Sequence, residues 1–272
     1  MTLTRLAQIR DRVLRNAEPV QGATLLDVGT GDGLIGLAAL NSVGAGGRVI
    51  FSDISQALLA CCRETVRSRG MLDRAHFVPA AVEDLSGIAD ESGDVATTRS
   101  VLIYVEDKSR AFASLWRVLR PGGRLSMFEP INRLVFPEPD GRFWGYDLSP
   151  VEDLVARVQD VFTGSVHPAF RAAMMGFDDR DLARLAEDAG FERIHVECHI
   201  DVEPGPIDPS VSLDALLDRA PNPNAPTLRE ALTTALNGPE QVQFVAALER
   251  AFVERRAIGR MAVAYVSAAK IR

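Results

Sequence analysis

At 272 residues and 29.5 kDa the chain can bury a full core, either as one large domain or as a domain with a cap. Its 47% hydrophobic and 25% charged residues are ordinary for a globular protein. A formal net charge of −7 and a pI of about 5.2 argue against affinity built on neutralising nucleic-acid phosphates. The three cysteines (Cys61, Cys62 and Cys198) show neither metal-site spacing nor a secreted disulfide framework, and Cys61 and Cys62 point in different directions on a predicted helix. The first 19 residues lack the apolar run of a signal peptide, and no 18-residue apolar stretch occurs. The expectation is a cytoplasmic protein with no membrane or nucleic-acid partner.

In chain order, Leu3, Leu6, Ile9, Val13 and Leu14 recur at helical spacing over residues 3–16. Thr24–Val28 reads as a strand, Leu34–Val43 as a helix and Arg48–Asp53 as a strand. Ser55 reads as the N-cap of a helix running to about Arg69. His76–Pro79 and Asp94–Thr98 are short strands. Asp107–Leu119 is a helix stopped by Pro121-Gly122-Gly123, and Arg124–Glu129 is a strand. This alternation predicts an α/β fold, a parallel sheet with helices on both faces. From Pro130 to about Asp178 the pattern breaks, with four prolines between 130 and 150 and the aromatics Phe136, Phe143, Trp144 and Tyr146. A helix over Asp178–Ala189 and a strand over Phe191–Ile200 follow. Pro204–Pro226 is irregular around Leu213–Leu217, residues 227–256 give one or two helices, and Met261–Ala268 is an apolar strand. The organisation expected is an N-terminal helix (1–20), a core (21–200 and 258–272), and insertions at 130–178 and 201–257 that form a substrate cap.

The most informative segment is Leu25-Leu26-Asp27-Val28-Gly29-Thr30-Gly31-Asp32-Gly33. An apolar strand carries an acid near its end, glycines alternate, and a helical pattern follows. Glycine lets backbone turn with positive φ and lets a ligand lie on bare backbone, and a helix N-terminus offers unpaired N–H groups. Gly31-Asp32-Gly33-Leu34-Ile35-Gly36 literally matches G-x-G-x-x-G, so an NAD(P)-dependent oxidoreductase is one alternative. Against it, the match starts late after the strand, and Asp27 and Asp32 would repel a pyrophosphate while suiting a cation.

These residues resemble the class I S-adenosylmethionine-dependent methyltransferases, in particular the small-molecule branch related to the ubiquinone-biosynthesis type. LLDVGTGDG is similar to the family's first motif, Asp53 to its ribose-binding acid, and Arg117-Val118-Leu119-Arg120-Pro121-Gly122-Gly123 to its R-V-L-x-P-G-G. The resemblance covers roughly residues 20–200. It implies a Rossmann-like seven-stranded, mostly parallel sheet whose last strand, here Met261–Ala268, is antiparallel. It also implies S-adenosylmethionine as cofactor, held by Asp27, Gly29, Thr30, Gly31, Gly33, Asp53, Ile54, Val82, Glu83 and Arg99. Asp53 would accept hydrogen bonds from both ribose hydroxyls, Ile54 would pack on adenine, and Arg99 would meet the methionine carboxylate. Where many relatives carry an acid, this chain has Ala81 followed by Val82-Glu83-Asp84. The Val82 backbone or the Glu83 carboxylate then becomes the expected partner of the adenine amino group.

The activity implied is methyl transfer to a small organic acceptor. Tyr104, Glu129, His167 and Tyr146 are the candidates for removing a proton from it. Tyr104, Arg133, Phe143, Trp144 and Tyr146 are the candidate acceptor contacts, which suits an aromatic or anionic molecule. The same surface is a candidate for homodimer contact. A non-catalytic cofactor-binding protein on the same fold is the second alternative, and methylation of RNA or protein a third. His195, Glu197 and His199 alternate on one strand face, and ordinary sheet positions explain them better than a metal.

Overall fold

A computed structural model describes residues 3–204, 212–221, 225–254 and 257–271. The chain divides into two compact units. One comprises Met1–Ile131, Ala173–His199 and Val263–Arg272, and the other comprises Asn132–Ala172 and Ile200–Ala262.

In the first unit, helix α1 (Leu3–Ala17) precedes strand β1 (Thr24–Val28), helix α2 (Gly36–Ser42), β2 (Arg48–Asp53), α3 (Gln56–Ser68), β3 (Ala75–Pro79) and β4 (Gly93–Arg99). Helix α4 (Lys108–Val118) then leads straight into β5 (Leu119–Pro130). Two further strands, β8 (Glu192–Pro204) and β9 (Ile258–Ala269), complete a seven-stranded sheet of order β3-β2-β1-β4-β5-β9-β8. The pairs β3–β2, β2–β1, β1–β4 and β4–β5 are parallel, and β5–β9 is antiparallel. Strands buried on both faces read as continuous apolar runs, and Leu25, Leu26 and Val28 of β1 are all buried. The order reverses between β1 and β4, and in open α/β sheets the crevice beyond the strand carboxyl ends at that reversal takes the ligand.

The helix starts follow their caps. The Ser55 hydroxyl accepts from the Leu58 N–H and the Asp107 carboxylate from the Arg110 N–H. Helix α7 (Asp179–Asp188) begins with a capping box between Asp178 and Asp181. Three expectations change. The helix predicted from Leu34 starts at Gly36, because the N–H of Gly33 closes a turn onto the Thr30 carbonyl. Pro121-Gly122-Gly123 does not separate helix from strand; β5 begins at Leu119 and runs through it. The 130–178 stretch is not uniformly irregular: it holds the hairpin β6 (Arg142–Phe143) and β7 (Tyr146–Asp147), helix α5 (Glu152–Ser165) and helix α6 (Pro168–Met175).

The second unit has its own core. Phe143, Val155, Val158, Leu228, Phe244 and Leu248 are buried together, drawn from the hairpin, α5, α9 (Leu228–Ala235) and α10 (Gly238–Val253). Helix α8 (Leu213–Leu217) falls in the stretch read as irregular; 205–211 and 222–224 of that stretch, and 255–256, lie outside the described residues. Among the described residues no helix is long and apolar enough to cross a membrane.

Candidate active site

The loop after β1 is shaped by contacts on one side and left open on the other. Gly36 has no room for a side chain: a Cβ there would sit 2.4 Å from a ring carbon of Phe51 on β2. Gly31 has φ +56°, and a Cβ there would meet nothing within 4 Å. Its bare backbone therefore faces open space, the surface on which a ligand can lie.

Asp27 holds this loop from beneath. It is 2% exposed. Its Oδ2 accepts from the Thr30 hydroxyl (2.6 Å) and the Gly36 N–H (2.8 Å), and its Oδ1 accepts from the Thr97 hydroxyl (2.9 Å). Both oxygens are thus engaged by the protein's own groups, so its direct role is to clamp the loop. Burial pushes its carboxyl up to about 6, against the pull of the three hydrogen bonds and of the nearby Arg99 charge. Thr30, expected at the cofactor, directs its hydroxyl to this clamp.

Asp53 ends β2 beside the open face. Its Oδ2 accepts from the Gly31 N–H at 2.8 Å and its Oδ1 from the Ser55 N–H at 2.9 Å. Each oxygen keeps a second lone pair, which suits a pair of hydroxyl donors. Cys62 lies below the loop. Its thiol donates to the Gly31 carbonyl (3.3 Å) and is pushed up to about 11 by burial and by the charges of Asp27, Asp32 and Asp53. Three carboxyl groups therefore surround the loop. That field favours a cation and opposes a diphosphate.

Around this centre, Ile54 is 78% exposed and Glu83 is half-buried. Val82 is buried, and its carbonyl accepts from the Ser114 hydroxyl. Asp84 is exposed and caps the Ser86 N–H. Arg117 of the R-V-L-x-P-G-G segment donates to the carbonyls of Ile88 (3.0 Å) and Asp84 (2.8 Å) and pairs with Asp90, so it fastens the loop between β3 and β4.

The segment after β4 turns at Ser100 (φ +56°) into a 3₁₀ turn over Leu102–Tyr104. Tyr104 is 63% exposed there. Glu129, a candidate proton acceptor, is fully buried at the end of β5. Its Oε1 accepts from the Val101 N–H at 2.9 Å, with the N–H groups of Leu102 and Ile103 also directed at the carboxylate. This is an acid placed at the start of a helical turn. Burial pushes Glu129 up to about 7 despite those donors and the Lys108 charge, and its Oε2 has no hydrogen-bond partner.

The remaining candidates belong to the second unit. Phe143 is buried, stacked on Trp144 (centroids 5.0 Å apart) and edge-on to Phe244 (5.6 Å). Tyr146 is buried in the same cluster and packs on Phe252. These positions correct the expectation of an aromatic lining, since both rings are core. Trp144 is half-buried and Arg133 exposed. His167 is exposed, and its Nδ1 accepts from the Ala169 N–H. His195 and His199 flank Glu197, which pairs with Arg12, and no metal-holding cluster occurs among the described residues. Thr97 escaped the sequence reading. The available signal was the pair Thr97-Thr98 following Val95-Ala96 in a central strand, where buried hydroxyls need partners.

A family model described as a methyltransferase domain matches residues 26–127. The ubiquinone/menaquinone biosynthesis C-methyltransferase UbiE of Klebsiella pneumoniae subsp. pneumoniae is 32% identical over 176 residues, covering 64% of this chain and 68% of that protein. Among solved structures, geranyl diphosphate methyltransferase in complex with S-adenosylmethionine is similar at TM-score 0.52 and 17% identity, over 97% of this chain and 85% of that one. The Haemonchus contortus phosphoethanolamine N-methyltransferase 2, solved with phosphomonomethylethanolamine and S-adenosylhomocysteine, is similar at TM-score 0.54 and 17% identity, over 97% of this chain and 53% of that one.

Proposed function

Because the chain belongs to the class I S-adenosylmethionine-dependent methyltransferases, and so methylates a small molecule, we propose that its acceptor is an aromatic or anionic metabolite and that the cofactor lies on the open face of Gly31. The observation that carries the second part is the donor set: a bare-backbone face with Asp53 beside it and three carboxyl groups around it. That set fits a ligand bearing a ribose, an ammonium and a sulfonium.

Asp53 would accept from the ribose hydroxyls through its second lone pairs. Gly29, Thr30, Gly31 and Gly33 would present backbone to the methionine and ribose portion. Ile54 would cover adenine, and Val82 and Glu83 would meet its amino group. Arg99 would pair with the carboxylate, while Asp27 would hold the loop and add negative potential beneath it. When bound, S-adenosylmethionine supplies a methyl group already activated for in-line attack, so positioning and exclusion of water carry the rate. Tyr104, exposed on its turn, would contact the acceptor. The role of the UbiE relative in ubiquinone/menaquinone biosynthesis supports an aromatic acceptor. The three free thiols fit a reducing compartment, and we assign the reaction to the cytoplasm.

The nicotinamide alternative is set aside by the family membership and by the carboxyl groups around the loop. The test is incubation with methyl-labelled S-adenosylmethionine and a panel of phenols, quinols, carboxylates and amines. Label is expected in an aromatic or anionic acceptor. Transfer confined to neutral aliphatic amines, or to RNA, contradicts the acceptor reading. Tight cofactor binding with no transfer to any acceptor would favour a binding role.

A further inference from the structure

The two edges of the seven-stranded sheet differ. Strand β3 has five residues and β8 thirteen, and each ends in a proline, Pro79 and Pro204. Edge strands are ordinarily blunted by proline, lysine, bulges or brevity. Between Glu192 and Glu203 there is no proline, glycine or lysine. The one irregularity is Arg193, with φ +51°, at the strand's beginning. The apolar side chains at Ile200 and Val202 are each 57% exposed.

The order of residues along this edge is self-complementary. Residues 194, 196, 198, 200 and 202 share one face (Ile, Val, Cys, Ile, Val), and 195, 197, 199 and 201 share the other (His, Glu, His, Asp). In an antiparallel pairing with a two-fold axis through Cys198, Val196 falls opposite Ile200 and Ile194 opposite Val202. On the other face Glu197 falls opposite His199, and His195 opposite Asp201. Neighbouring registers lose this match. Centring on Glu197 sets Glu197 against itself and His195 against His199. Centring on His199 sets Glu197 against Asp201. Like charges directly opposite are unfavourable and apolar and opposite-charge pairs favourable. Glu197 already pairs with Arg12 at 2.5 Å and lies 3.5 and 3.7 Å from His195 and His199, so carboxylate and imidazole groups already meet on this face.

We infer that β8 is an interface for a second copy of this chain, the two β8 strands pairing antiparallel about Cys198. The occupant is a second copy because the complementarity is between the strand and itself. The inference does not depend on the proposed function. In this arrangement the two Cys198 Cα atoms lie about 4.5–5.5 Å apart, within the range a disulfide spans.

The test uses the full chain carrying Cys61→Ser, which removes the exposed thiol. Light scattering at tens of micromolar should give twice the 29.5 kDa chain mass. Mild oxidation by copper–phenanthroline should take two electrons from the paired thiols and give a covalent dimer. Adding Cys198→Ser should abolish that cross-link and leave the dimer intact. Ile200→Lys, at an exposed position, should weaken the dimer by at least about tenfold with an unchanged circular dichroism spectrum. A monomer at that concentration overturns the inference. So does a dimer without the Cys198 cross-link, or one that Ile200→Lys leaves unchanged.

Discussion

Glu129 shows what burial does to one carboxyl. Its folded-state value of about 7 lies above its ordinary 4.5, so the folded chain holds a proton that the unfolded chain has released between those values. The contribution to stability is present at low pH and lost as pH rises to 7. The melting temperature should therefore fall between pH 5.5 and pH 8.5 more in the native chain than in Glu129→Gln; equal falls in calorimetry would mean that Glu129 titrates normally. Asp27 was legible as a site residue because it lies near a strand's carboxyl end just ahead of the glycine loop, and Asp53 because it ends the second strand where the family resemblance places a ribose-binding acid. The use made of Asp27 was not. Its partner Thr97 is 70 residues away, and only the β1–β4 register brings the two side by side. Glu129 was likewise legible as an acid at a strand tip, but its burial depends on where the turn over Leu102–Tyr104 folds.

Elements follow the same logic at larger reach. The caps Ser55, Asp107 and Asp178 were visible as short polar residues ahead of apolar periodicity. Asp178→Ala removes the carboxylate that accepts from the Arg180 and Asp181 N–H groups at the start of α7 and should cost about 1 kcal/mol in urea unfolding; no change would show that the cap carries no stability. Helix α5 was also legible. Val151, Leu154, Val155 and Val158 have the i, i+3, i+4, i+7 spacing, and Glu152 and Asp153 occupy its first turn. The prolines that end at Pro150 masked a helical signal that begins at Val151. In the glycine loop, two substitutions separate folding from binding. Gly36→Val drives a side chain into the Phe51 ring and should destabilise the chain by several kcal/mol, roughly the upper range for an overpacked core. Gly31→Val enters open space, at a strain cost of about 1–2 kcal/mol for its positive φ. It should remain folded and lose cofactor binding. Equal stability losses in the two variants would contradict this reading of the loop.

At the scale of the whole molecule, the alternation of strand and helix signals was enough for an α/β sheet, and the family resemblance supplied the strand count and the antiparallel β9. Strand order was less legible, because the insertion of β9 between β5 and β8 is a long-range choice that no local spacing encodes. In the second unit one or two helices were read over 227–256, but not that they join α5 and the hairpin in a core of their own, since each hairpin strand has only two residues. The molecule's acidity and its carboxyl-lined loop point the same way, toward a cationic cofactor over a phosphorylated one. Isothermal titration with S-adenosylhomocysteine and with NAD, on the native chain and on Asp53→Ala, tests this most directly. The account predicts saturable binding of S-adenosylhomocysteine alone, weakened about tenfold to a hundredfold in a folded Asp53→Ala chain through lost hydrogen bonds to a charged group. Binding of NAD without S-adenosylhomocysteine, or unchanged affinity in Asp53→Ala, would contradict it.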